Sequence, residues 1–174
     1  PEHRALMEQL PSRLSQPDAL GQLLQSIDEA VVFPTVDELG ELFRELKGEA
    51  LETVLGWLPK LTNQRVRDLL DAAAQRLAQA HPTEVSKALA SPDEGVILEG
   101  LKLVSRLKLP PTVPAVAELL AHQAKGVRSA AVEALAQIGS VGALQQLEKA
   151  IDDADREVRL AAVRTVSQRG HKNA

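Results

Sequence analysis

The 174 residues contain no Cys and no Tyr, one Trp and two Phe, so aromatics make up only 2% of the chain. Without Cys there are no disulfides, no thiolate chemistry and no Cys-based metal site. With so few rings the apolar 44% is almost all Leu, Val, Ala and Ile. That composition suits closely packed helices and argues against a β-sandwich, which draws on aromatic and β-branched residues in alternation. No apolar run reaches the ~18 residues needed to span a bilayer. No signal peptide is visible, and the expected location is cytoplasmic. A start at Pro1 without Met reads as an excised piece of a longer chain.

Charge of one sign is also lacking. The net value is −4, unevenly spread: residues 1–62 carry 11 acids and 5 bases, while residues 63–174 carry 13 acids and 15 bases. The first stretch is therefore at −6 and the second at +2, far from the basic footprint of a protein that neutralises many phosphates.

What is present is a repeat. Val96, Val127 and Val158 are spaced by 31 residues. Gly100, Ala131 and Ala162 share a small-residue position; Leu101, Val132 and Val163 correspond, as do Val104, Leu135 and Val166. Each set lies on one helical face. A second apolar stretch repeats before each of these helices, in Val85-Ala88-Leu89, Val116-Leu119-Leu120 and Leu147-Ala150-Ile151. The unit is thus two antiparallel helices, and a lone pair cannot bury its apolar face, so units stack. Gly139 and Gly170 fall where a left-handed helix cap would sit. Ser91-Pro92-Asp93-Glu94 reads as an N-cap, a Pro at the first helical position and a capping-box Glu. Asp155 reads as the N-cap before Val158.

The stretch Asp152-Asp153-Ala154-Asp155-Arg156-Glu157-Val158-Arg159-Leu160-Ala161-Ala162-Val163 resembles the second helix of a bacterial HEAT repeat of the phycobilisome-lyase-like subtype. Val127-Arg128 with Ala130-Ala131-Val132 is a second match, Val96 to Leu107 a third in which Ile97 replaces Arg, and Val66-Arg67 opens a degenerate fourth. The resemblance implies an all-α fold, a right-handed α-solenoid of stacked antiparallel helix pairs. The repeats are read over 49–80, 82–109, 111–139 and 141–170, within 49–174. Residues 1–48 then form an atypical helical cap, with helices near 2–14, 18–31 and 36–46; Thr35 and Glu38 make a capping box and Gly48 ends the third helix.

Chemistry is sparse. The four His are isolated, and no His-Glu dipeptide supports a link to di-iron hydroxylases built on HEAT repeats. Asp152, Asp153 and Asp155 lack the Gly and bidentate Glu of a calcium loop. Alkylpurine DNA glycosylases share the architecture but need a basic, aromatic groove, and Trp57 between Leu55 and Leu58 reads as core. No phosphate loop or nucleophile elbow occurs, and nothing positive points to a phycobilin lyase. No catalytic residue, metal or cofactor is assigned.

Second helices of HEAT-type stacks usually line the concave side. The face opposite the core there holds Leu98, Lys102, Arg106, Glu133, Gln137, Leu160, Arg164 and Gln168, a mixed polar ridge with apolar points that fits a protein partner better than nucleic acid. Arg128 and Arg159 follow the repeat Val and read as a structural ladder with Asp152 and Asp155. The expected function is a non-catalytic protein-interaction scaffold. The alternatives are a regulatory or assembly module of a larger protein with an upstream domain, and, less favoured, a HEAT-like nucleic-acid-binding or repair protein. No membrane partner is expected; end-to-end pairing of copies is a further expectation.

Overall fold

The structure, a computed structural model, describes residues 9–30, 32 and 34–170, and no strand occurs among them. Helix α1 is described over 9–14. It is followed by α2 (Pro17–Asp28), α3 (Val36–Arg44), a 3₁₀ turn (Gly48–Ala50), α4 (Leu51–Trp57) and α5 (Gln64–Ala80). Next come α6 (Pro82–Leu89), α7 (Glu94–Leu107), α8 (Val113–Glu118), α9 (Lys125–Ile138), α10 (Val141–Leu147) and α11 (Arg156–Gly170). Contacts divide the chain into two units, one up to Glu84 and one from Val85.

In the first unit, leucine spacing builds the helices. Pro17 opens α2, where its missing N–H costs nothing, and the helix buries Leu20, Leu24 and Ile27 on one face. Thr35 caps α3 reciprocally with Glu38: the Glu38 N–H donates to Thr35 Oγ1 at 3.3 Å, and the Thr35 N–H donates to the Glu38 carboxylate at 2.9 Å. Leu39 and Phe43 then face inward. Arg76 on α5 donates to the carbonyls of Phe43 and Leu46 at 3.1 Å each, tying α5 to the end of α3. Ser15 is fully buried; its hydroxyl donates to the Pro11 carbonyl and accepts the Lys47 N–H at 2.9 Å.

Three sequence expectations change here. The part of the first predicted helix over 2–8 lies outside the described residues, and α2 and α3 stop short of 31 and 46. Gly48 does not end α3. It opens the following 3₁₀ turn, buried, where a Cβ would come within 2.9 Å of the His81 ring. Trp57 is half-buried, not core: its indole lies over Gly21, where a Cβ would stand 3.3 Å from Nε1, and Lys60 Nζ sits 5.7 Å from the ring centroid.

The second unit is built on the 31-residue period. Helix α9 packs against both α7 and α11, so the second helices of successive pairs form one layer, while α8 contacts α9 and α10. Val96, Val127 and Val158 are buried, as are Gly100, Ala131 and Ala162, the small residues that let these helices approach. Pro110 and Pro114 stand at the starts of a 3₁₀ turn and of α8, positions Pro tolerates. The N-cap of α7 is Asp93, not Ser91: Asp93 Oδ1 accepts from the Gly95 N–H at 2.8 Å and the helix begins at Glu94. This chain is all-α, of the stacked helix-pair class.

The helix caps reveal a position the Gly pattern hid. Gly139 adopts φ 61°, as the period implies, and Lys108, 31 residues earlier, adopts φ 51°. Both N–H groups reach back to close a helix, to Leu135 and Val104 respectively. Gly170 is instead the last residue of α11. A left-handed conformation costs an L-residue about 1–2 kcal/mol, partly offset by the greater entropy a glycine loses on folding. Lys108→Gly is therefore expected to stabilise the chain by about 0.5–1 kcal/mol, read as a rise of roughly 1–4 °C in Tm. A lower Tm for this variant would contradict the cap assignment.

Candidate functional site

The second helices α7, α9 and α11 begin from the same kind of turn. Ser91, His122 and Asp153 are 31 residues apart, and each accepts the N–H two residues on: Ser91 Oγ from Asp93 at 3.3 Å, His122 Nδ1 from Ala124 at 3.1 Å, Asp153 Oδ1 from Asp155 at 2.8 Å. Six residues after each of Leu61, His122 and Asp153, an arginine follows the repeat Val and folds back on the turn. Arg128 donates to the His122 and Gln123 carbonyls at 3.0 and 3.1 Å, Arg159 to the Asp153 and Ala154 carbonyls at 2.6 and 3.0 Å, and Arg67 to the Leu61 carbonyl. In the remaining repeat Ile97 takes the place of the arginine and is buried.

The carboxylate that Arg128 meets across the joint is Asp153, not Asp152 or Asp155. Arg128 Nε donates to Asp153 Oδ2 at 2.9 Å and a terminal nitrogen to Oδ1 at 3.3 Å, with side chains 15% and 6% exposed. This two-pronged geometry is what a guanidinium offers a carboxylate. Asp152 is exposed. Asp155 caps α11, accepting from the Glu157 and Val158 N–H groups, and pairs with Lys125 at 3.1 Å. Lys125 also meets Glu157 at 2.8 Å. These contacts hold the Lys125 ammonium above its ordinary pKa, Glu157 contributing most, and hold Asp155 below its own, through Lys125 first. Among the described residues Arg159 meets carbonyls and no carboxylate, so there the arginine–carboxylate ladder expected from the sequence has one rung, Arg128–Asp153.

The predicted ridge lies on the outer face of the second-helix layer. Lys102, Arg106, Glu133, Gln137, Arg164 and Gln168 are exposed, Leu160 is 40% exposed and Leu98 is half-buried. Between α7 and α9 a groove of about 420 Å³ brings together Lys102, Arg106, Glu133 and Gln137 over a floor that includes Leu101 and Ala130. Leu98, Leu160, Arg164 and Gln168 are not among its lining residues. Lys102 pairs with Glu99 at 2.6 Å. Lys108 also lines the groove and was missed; its place 31 residues before Gly139 was the available signal.

Residues 82–167 match the family of HEAT repeats. The chain carries HEAT repeats. The HEAT stretch covers α6 to most of α11, the part in which the period is 31 residues. Among solved structures, a crystal structure described as that of an engineered protein is 18% identical, with TM-score 0.45, over 91% of this chain and 76% of that one. No curated protein matches the chain. Among the described residues no group of three or more His, Asp or Glu is arranged to hold a metal ion, and no helix is long and apolar enough to cross a membrane.

In the first unit the turn before α5 is held from outside, by Asp28 at the end of α2. Asp28 accepts from the N–H groups of Thr62 and Asn63 at 2.9 and 3.0 Å and from the Thr62 hydroxyl at 3.1 Å. These bonds, the one from Asn63 foremost, hold its carboxyl below its ordinary value. A carboxylate with a depressed folded pKa stabilises the fold above its unfolded pKa of about 4, and that contribution is lost as pH falls through the folded value. Asp28→Asn is expected to lower Tm at pH 7 and to narrow its gap to wild type as pH drops below about 4. A gap that stays constant across that range would show that the Asp28 charge is idle.

Proposed function

We propose that this protein is a non-catalytic scaffold that holds another protein on the outer face of its second-helix layer, seated at the groove between α7 and α9. HEAT repeats commonly serve as helical interaction scaffolds, which supports the broad reading. The observation that carries the specific one is the groove itself. It gathers long polar side chains, Lys102, Arg106, Glu133 and Gln137, around an apolar floor, and the core packing of the repeats does not require any of them. Interfaces combine such an apolar centre with a polar rim, and arginine is over-represented among the residues that dominate binding. Leu160, Arg164 and Gln168 extend the same face along α11, and Leu98 lies on α7. We read 1–48 as a cap and 49–174 as the repeats proper, and the location as cytoplasmic.

The mixed charge of the groove argues for a protein over a polyanion. Glu133 stands among Lys102, Arg106 and Lys108, whereas a phosphate track uses a run of cations with aromatic platforms. The test is affinity capture from host lysate, with the full chain and with a Lys102→Glu, Arg106→Glu variant of unchanged helicity as paired baits. One protein enriched by wild type and at least tenfold less by the variant is the expected result. Equal capture by both baits would remove the groove from the account.

A further inference from the structure

The first unit carries 14 acids and 8 bases, yet along one of its grooves the charge runs the other way. Helices α3 and α5 pack side by side and in the same direction. Thr35 and Asn63, at their starts, line one hollow, and further along Arg76 of α5 holds the Phe43 carbonyl of α3. Two hollows lie between the helices, of about 600 and 290 Å³, and Leu69 lines both. Their walls are mainly apolar. Leu39, Val66 and Val36, itself 50% exposed, line the first; Phe43, Ala72 and Ala73 line the second.

The charged lining residues are Arg65 in the first hollow and Arg44 and Arg76 in the second, and no acid is among the lining residues of either. All three arginines are exposed. Among the described residues the side chains of Arg44 and Arg65 make no ion pair or hydrogen bond. Arg44 has a terminal nitrogen 3.9 Å from where a Gly40 Cβ would stand, and Arg76 gives one terminal nitrogen to the Phe43 and Leu46 carbonyls. The acids of the same helices are directed elsewhere. Glu38 and Glu41 line a different hollow beside Leu10, while Asp68 and Asp71 accept from Gln64 and Gln75. Arg65 and Arg76 are 11 residues apart on α5, which is about 16 Å along the helix. Cations therefore stand at both ends of an apolar groove about three helical turns long.

That layout selects its occupant. A polyanion needs cations in a run, and here an apolar stretch separates them. A single-headed lipid has one charge and satisfies one end. An extended peptide would lay unpaired N–H and C=O groups along an apolar wall, whereas a helix pairs its own. We propose that the α3–α5 groove docks an acidic amphipathic helix of a partner protein. Its aliphatic side chains, at i, i+3, i+4 and i+7, lie against Val36, Leu69 and Ala72, and its carboxylates meet Arg65 at one end and Arg44 with Arg76 at the other. None of these residues belongs to the α7–α9 groove, so each reading stands or falls alone.

The test is fluorescence anisotropy with the full chain and a stapled helical peptide, Glu-Glu-Ala-Leu-Ala-Gln-Leu-Leu-Ala-Gln-Leu-Ala-Glu-Glu. Saturable binding is expected, weakened at least tenfold when the chain carries Arg44→Glu with Arg65→Glu at unchanged helicity. Replacing the four Leu of the peptide by Gln should cost at least as much. A peptide with Lys in place of its four Glu should bind the wild-type chain at least tenfold more weakly and recover on the double variant. Absence of binding, or equal affinity of the Glu and Lys peptides for both chains, overturns the proposal. So does dodecanoate displacing the peptide at a concentration below the peptide's own Kd, because the groove would then be a lipid site.

Discussion

The joint between one repeat and the next rests on a partly buried guanidinium. Arg128 lies at the start of α9, closes the turn behind it through two carbonyls, and reaches forward to Asp153 of the following turn. Burying an arginine without a partner would cost several kcal/mol, so the charge is tolerable only because every contact is made in one register. That register sets which aliphatic residues of α9 meet α11, and with it the burial of Val132, Leu135 and Val158. The turns themselves are held by short acceptors at one repeat position, Ser91, His122 and Asp153, three chemically different side chains that do the same work.

The period was legible because packing imposes it. Valine at the opening of each second helix, a small residue four places on and aliphatic residues five and eight places on are dictated by helix–helix approach, and they recur at 31 residues where the structure stacks. The turns were less legible. Asp152, Asp153 and Asp155 are equivalent as composition, and only the backbone path decides that Asp153 points to Arg128 while Asp152 faces water. Ser91 and Asp93 are both good N-cap residues, and the turn uses the first to hold the second. Lys108 was hidden because a lysine in a left-handed cap has no residue-type signal; only its alignment with Gly139 betrays it. Gly48 shows the converse: a glycine that reads as a helix stop is there because His81 leaves no room for a Cβ.

Of the ridge, exposure was predictable from the face of the helix, whereas the groove was not. Helical periodicity places Lys102, Arg106, Glu133 and Gln137 opposite the core, but whether two neighbouring helices part enough to leave a hollow depends on the side chains between them. Leu101 and Ala130 both line that hollow. The groove carries residues that the stack does not need.

The Arg128–Asp153 pair couples one repeat to the next, and a double-mutant cycle of Arg128→Ala and Asp153→Ala, followed by urea unfolding, measures that coupling directly. The predicted result is a favourable coupling energy of about 1–3 kcal/mol, with each single variant losing nearly as much stability as the double. Additive losses, with a coupling energy near zero, would mean that aliphatic packing alone sets the register and that the guanidinium merely fills space beside it.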